Sequence, residues 1–113
     1  MQLNTYLESH SQLKQIQQTS IREVILEHEL LSRIGGLNTK SLLSLVDATL
    51  ATGMSPVLQW DLLSTEQNFQ HCVKLLNRLP IKSFHAIRVQ DLGAAEWIRL
   101  KHPELPLLSL IHI

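Results

Sequence analysis

Five residues in this chain are of types that could do chemistry together: Glu8, Glu27, Asp61, Arg88 and Gln90. Each falls at or near the end of a short run that reads as a β-strand. A buried arginine must be paired, because an isolated charge out of water is costly. Glu27 and Asp61 are its natural partners, and such an ion pair can serve structure alone. The guanidinium could instead hold a substrate carboxylate or phosphate through two parallel hydrogen bonds. Glu8 has a second reading as a first-turn acid of the helix that follows it. His28, next to Glu27, reads either as a loop histidine or as a general base. Asp91 reads first as a helix cap and second as a catalyst. The catalytic residues stay unknown, since no nucleophile stands with a base. No P-loop, Gly-Xaa-Gly-Xaa-Xaa-Gly or Gly-Xaa-Ser-Xaa-Gly motif occurs. Gly35-Gly36 reads as a turn. His10, His71, His85 and His102 lack two-histidine ligand spacing, so no metal site is expected.

The elements that would position these residues repeat. Gln2 to Glu8 alternates as a strand, with Asn4, Tyr6 and Glu8 on one face. Ser9 or Ser11 can cap a helix carrying Leu13 and Ile16. Arg22 to Glu27 is a strand whose consecutive Val24, Ile25 and Leu26 suggest burial on both faces. Asn38 or Thr39 then caps a helix with Leu42, Leu43, Val46 and Leu50 at helical spacing, ended by Gly53 in the left-handed conformation. Pro56 to Asp61 is the third strand, with its proline at the start. Ser64 and Gln67 form a capping box before Phe69, Cys72, Val73 and Leu76, and Pro80 stops that helix. Phe84 to Gln90 is the fourth strand. Its helix runs from about Asp91 to His102, packing through Trp97 and Ile98. Leu105-Pro106-Leu107 begins a fifth strand. Alternation turns Tyr6, Glu8, Glu27, Gln59, Asp61, Ala86, Arg88 and Gln90 to the inside, and His85, Ile87, Val89 and Trp60 toward the helices.

Four strand-helix units and a fifth strand define an α/β chain, either an open doubly wound sheet or the front part of a (β/α)8 barrel. A full barrel needs roughly 200 residues or more, and this chain has 113. Apolar residues make up 44%, as in folded domains. Ten basic residues balance ten acidic ones with no charged block, so nothing points to DNA or an anionic membrane. RNA is left open, because a further segment could carry the charge. The single Cys72 rules out an internal disulfide and fits a reducing compartment. No apolar run reaches the ~20 residues of a membrane span, and no signal peptide is visible. The expected location is cytoplasmic.

Ile87-Arg88-Val89-Gln90-Asp91-Leu92-Gly93, then a helix, then His102-Pro103-Glu104-Leu105-Pro106-Leu107, resembles the U-32 (collagenase-like) peptidase family. That family's pattern is a strand ending in Val-Gln-Asp-Leu-Gly, a helix, and Pro-Asp/Glu-Leu-Pro. The order of the three preceding units also agrees. Its usual Gly-Ala-Asp-Ala-Val-Tyr second strand is replaced here by Ile21-Arg22-Glu23-Val24-Ile25-Leu26. The resemblance implies a TIM-barrel-like N-terminal portion of a peptidase, or of an enzyme associated with hydroxylation of RNA or a quinone ring. It implies no cofactor in this segment, and an iron-sulfur cluster held by cysteines further along. The implied partners are the remainder of the barrel and a substrate that is a peptide, an RNA or a small carboxylate. The other readings are a non-catalytic barrel used for binding or scaffolding, and a barrel enzyme of another family. Leu108-Ser109-Leu110-Ile111-His112-Ile113 resembles the in-frame translation of a sequencing adapter. The expected division is therefore residues 1–107 as a partial barrel domain and 108–113 as a non-native tail. Such a fragment is expected to be inactive, with unpaired strand edges.

Overall fold

The structure, a computed structural model, describes residues 4–32, 36–61 and 66–109. The elements in order are β1 (Asn4–Tyr6), α1 (His10–Ile16), β2 (Glu23–Glu27), α2 (Thr39–Ala51), β3 (Ser55–Trp60), α3 (Glu66–Arg78), a 3₁₀ turn (Ile81–Ser83), β4 (Ala86–Val89), α4 (Leu92–Lys101) and β5 (Leu107–Ser109). The five strands form one parallel sheet in the order β1-β2-β3-β4-β5. A doubly wound sheet reverses direction at a switch point. This order has no reversal. With right-handed crossovers, the near-universal rule, a sequential order puts every helix on the same face.

The core divides accordingly. Leu7, Val24, Leu26, Leu58, Trp60, Ile87 and Val89 pack with Leu13, Ile16, Leu42, Leu45, Val46, Cys72, Leu76, Ala94 and Ile98 of the four helices. Ile25, Val57 and Ala86 form a separate buried cluster on the other face, with no helical residue in it. Register explains the grouping, since Ile25 pairs with Val57 and Val57 with Ala86. All five residues of β2 are buried, as a strand covered on both faces requires.

Local chemistry sets the boundaries. Ser9 Oγ accepts from the Gln12 amide at 3.3 Å, and Asn38 Oδ1 from the Ser41 amide at 2.8 Å. These choose Ser9 over Ser11 and Asn38 over Thr39. Gly53 ends α2 with φ of 80°. Pro56 lies inside β3 without losing a ladder bond. The Ser55 amide donates to Arg22 O, so Ser55 faces β2 and Pro56 faces β4. Pairing with β4 begins only at Val57, so the N–H that proline lacks had no strand partner there.

Several expectations shift. The first strand is shorter than Gln2 to Glu8, with residues 1–3 outside the described chain, although the Leu7 amide still reaches Ile25 O at 2.9 Å. The buried stripe of α2 is Leu42, Leu45, Val46 and Thr49, while Leu50 is 46% exposed. Thr49 is tolerated because its hydroxyl donates back to Leu45 O at 2.7 Å. His85 precedes β4 and is exposed instead of helix-covered, with its Nε2 3.7 Å from Glu23 Oε2. Ser64 of the expected capping box and Gly35 of the expected turn lie outside the described residues. Leu108 and Ser109 continue the sheet opposite Arg88 and Val89, and residues 110–113 lie outside the described chain. Among the described residues, no helix is long and apolar enough to cross a membrane.

Candidate functional site

Three successive strand ends meet on the helix-free face. Tyr6 and Glu8 come from β1 and its exit, Glu27 from the end of β2, and Gln59 and Asp61 from β3 and its exit. Together they line a cavity of about 290 Å³. Register brings this about: Tyr6 pairs with Ile25, Glu27 with Gln59 and Gln59 with Arg88, so all their side chains share a face.

The loop after β2 braces the site from behind. Ser32 Oγ donates to Glu27 Oε2, and the Asp61 amide donates to Leu31 O at 3.0 Å. Gln59 ties the middle together. Its Nε2 donates to Asp61 Oδ2 at 3.2 Å and lies 3.5 Å from the Tyr6 hydroxyl oxygen. Glu27 and Asp61 are buried, and Glu8 is exposed at the mouth.

The two β4 candidates behave differently. Arg88 is half-buried on the same face, but it makes no ion pair with Glu27 or Asp61 among the described residues. Its guanidinium carbon instead lies 6.0 Å from the centroid of the Tyr6 ring. The expected carboxylate pairing is replaced by a cation–π contact, worth roughly 0.5–1 kcal/mol at a site this open. Half-burial leaves the guanidinium access to water, which removes the need for a paired anion. Gln90 is half-buried one residue beyond β4 and does not line the cavity. Glu8, Glu27 and Asp61 are thus brought together, and Arg88 and Gln90 are not. Gln59 and Tyr6, absent from the five candidates, are central to the cavity. Strand alternation had turned both inward, and that was the signal available for them.

His28 is buried on the opposite face. Its Nδ1 accepts from the Leu30 amide at 3.0 Å, and its Nε2 is 2.9 Å from Thr39 Oγ1. This fixes a neutral ring protonated at Nε2. Burial holds its pKa below the ordinary value, with Glu29 acting weakly the other way. It splices the loop to α2. Asp91 is the N-cap of α4, its Oδ2 accepting from the Ala94 amide at 3.1 Å. A methyl group at Gly93 would sit 3.1 Å from that same oxygen, so capping explains the small residue as well as the acid. Cys72 is buried in the helix-side core, its Sγ 3.5 Å from Leu30 O, and burial pushes the thiol pKa up.

A larger cavity, about 520 Å³, lies between α1 and α2 and includes His10, Lys40 and Ser44. These side chains are exposed, and His10 Nε2 is already 3.0 Å from Ser44 Oγ. The rim cavity differs because Glu27, Gln59 and Asp61 among its lining residues are buried.

These features define a parallel α/β protein of sequential strand-helix units, with a polar cavity at the C-terminal edge of its sheet. The chain matches no protein-family model, no curated protein and no solved structure.

Proposed function

We propose that the five strands are the leading part of a TIM-like (β/α)8 barrel in a protein of the U-32 peptidase type, and that its C-terminal rim binds substrate. The observation that carries this reading is the convergence of Glu8, Glu27 and Asp61, from three successive strand ends, on one cavity. Barrel enzymes bind their ligands at that edge. Curvature supports closure. In a flat sheet β1 and β4 would lie three strand spacings apart, about 14 Å, yet Arg88 reaches the Tyr6 ring. The family reading rests on the Val89-Gln90-Asp91-Leu92-Gly93 and Pro103-Glu104-Leu105-Pro106 motifs. It makes the protein a peptidase-family or an RNA- or quinone-hydroxylation-associated enzyme of the cytoplasm. The rest of the barrel is then its structural partner, with an iron-sulfur cluster carried on cysteines beyond this chain.

Two measurements test the reading. Sedimentation velocity should show self-association, because among the described residues no strand pairs with the outer edge of β1 or of β5; a cooperative monomer counts against the barrel. Chemical-shift mapping with a short peptide, an RNA oligonucleotide and a small carboxylate should give saturable changes at Tyr6, Glu27 and Gln59. Changes confined to the helix side would remove the rim from consideration.

A second reading is a non-catalytic binding domain built on the same frame. It is favoured by the rim's chemistry among the described residues: carboxylates, a phenol, an amide and a guanidinium, while His28 is neutral and faces away. Turnover of any substrate by the longer protein, lost in Asp61→Asn, would set this second reading aside.

A further inference from the structure

We propose that the turn at residues 28–32 is a pH-sensitive latch on the rim: a proton taken up by the buried His28 ring releases the loop that braces Glu27 and Asp61. This rests on the rim being the ligand site, and it adds how that site is regulated.

His28 closes the turn at three points. Its Nδ1 accepts from the Leu30 amide at 3.0 Å, and its Nε2 lies 2.9 Å from Thr39 Oγ1 at the start of α2. Its carbonyl accepts from the Leu31 and Ser32 amides, each at 3.0 Å. The closed turn thereby sets residues 30–32, and each of these is tied onward. Leu30 O accepts from Cys72 Sγ of α3 at 3.5 Å. Leu31 is fully buried, and its O accepts from the Asp61 amide at 3.0 Å. Ser32 Oγ donates to Glu27 Oε2. Two of these three ties end on residues that line the rim cavity.

The closed turn requires a bare ring nitrogen. A second proton can enter only at Nδ1, because Nε2 already carries the first. Nδ1–H would then point at the Leu30 N–H, one donor against another. The ring would also hold a charge while 1% exposed. Turning the ring over gives no relief, since both nitrogens of an imidazolium donate. Protonation and the closed turn exclude each other, so the proton is accommodated by opening the turn and wetting the ring.

The surroundings set the balance. Burial favours the neutral ring, and Glu29 opposes it more weakly. From α2 come the first-turn amides at Thr39 and then Lys40, both unfavourable to a further positive charge. From α3 comes Cys72, a thiol kept neutral by its own burial. Glu27 and Asp61 lie on the rim side, beyond Ser32 and Leu31. Glu8 and His10 stand across the cavity that Leu37 and Lys40 also line. Opening therefore grows as pH falls below the value of about 6.5 for a free histidine, by at most about tenfold per pH unit, the limit for one proton.

The test is an NMR titration of the whole 113-residue chain, without ligand, downward from neutral pH. It follows the His28 ring nitrogens, the amides of Leu30 and Asp61 and the side-chain amide of Gln59, with the methyl groups of Ile87 and Ile98 as the control for folding. The expected result is one midpoint, below about 6.5, shared by the ring, Leu30, Asp61 and Gln59, with Ile87 and Ile98 unmoved. In His28→Asn, which keeps an acceptor for the Leu30 amide and cannot titrate, the shared transition should vanish. Ring protonation with Leu30 and Asp61 unmoved would overturn the latch. So would a transition that survives in His28→Asn, which would belong to another group. Loss of the Ile87 and Ile98 signals at the same midpoint would overturn it too, as acid unfolding of the whole sheet. If His28→Asn does not fold, the parent decides alone, and separate midpoints for the ring and the loop overturn the latch. The rim's standing as a ligand site is read separately, from the peptide, RNA and carboxylate mapping at neutral pH. That mapping can fail while the latch stands, and the latch can fail while the mapping succeeds.

Discussion

The two faces of the sheet are built from the same strands and hold opposite kinds of chemistry. On the helix side, Trp60 is fully buried, stacked on Phe69 at a centroid distance of 5.8 Å and edge-on to Trp97 at 6.1 Å. Leucines of α1, α2 and α3, with Ala94, Ala95 and Ile98 of α4, complete that layer. On the other side, three small or branched residues form a plug below a ring of polar ones. Residues 58 and 60 belong to the first face and residues 57, 59 and 61 to the second. A single strand therefore carries the largest packing residue and a polar rim residue side by side, and each holds one buried polar atom without a hydrogen-bond partner, Trp60 Nε1 and Gln59 Oε1. One face is built on dispersion and burial, and the other gathers carboxylate, amide and phenol groups at a cavity.

The contrast can be broken by substitution. Trp60→Ala should cost about 3–5 kcal/mol, as large aromatic truncations do, measured by urea unfolding. A loss below about 1 kcal/mol would mean that the helix side does not carry the stability. Ile25→Ala should cost less, about 2 kcal/mol, at the low end for such truncations, because its cluster has only three members. Equal losses at residues 25 and 60 would erase the distinction between the faces. Asp91→Ala should cost about 1 kcal/mol through the lost cap, read from the same unfolding curves.

His28 gives the helix side a pH dependence. Its folded-state pKa lies below the unfolded value of about 6.5, so the unfolded chain binds the extra proton first. Stability is therefore full above that pH and falls as pH drops through and below it. His28→Asn keeps an acceptor for the Leu30 amide and should flatten the fall in melting temperature between pH 7 and 5. An unchanged slope would assign the acid sensitivity elsewhere. The smallest effect is expected at the rim. Gln59→Leu should stay within about 1 kcal/mol of the parent, because removing an unpaired buried carbonyl offsets the lost bonds to Asp61 and Tyr6. A loss of 3 kcal/mol would make Gln59 a structural residue.

Much of this frame was legible before any coordinates. Alternation along Val57 to Asp61 separated the two faces, and the apolar run in β2 announced a strand covered on both sides. The cap at Asp91 was readable, and those of α1 and α2 were narrowed to Ser9 or Ser11 and Asn38 or Thr39, because such side chains act on an amide three residues away. What could not be read was distance across the sheet. Whether Arg88 would meet Glu27 or Tyr6 depends on curvature and on half-burial, and neither is encoded in spacing along the chain. The exposed Leu50 shows the same limit. Its helical period was correct, but the choice of Thr49 over Leu50 for the buried stripe depends on how α2 is rotated against the sheet. The weight of Gln59 was invisible for a further reason, since an unpaired atom is a property of its surroundings.

The sequential order of the strands also bears on how the molecule comes into being. Each strand pairs with the one made just before it, one helical unit earlier in the chain. A ribosome therefore releases every new strand next to an edge that already exists. Such locally connected topologies fold faster than those that must close long loops first. The growing edge at any moment is also the template for the next strand in sequence. Slow translation just after a strand would leave that edge open to another chain, so misassembly should track pauses at the helix-to-strand boundaries.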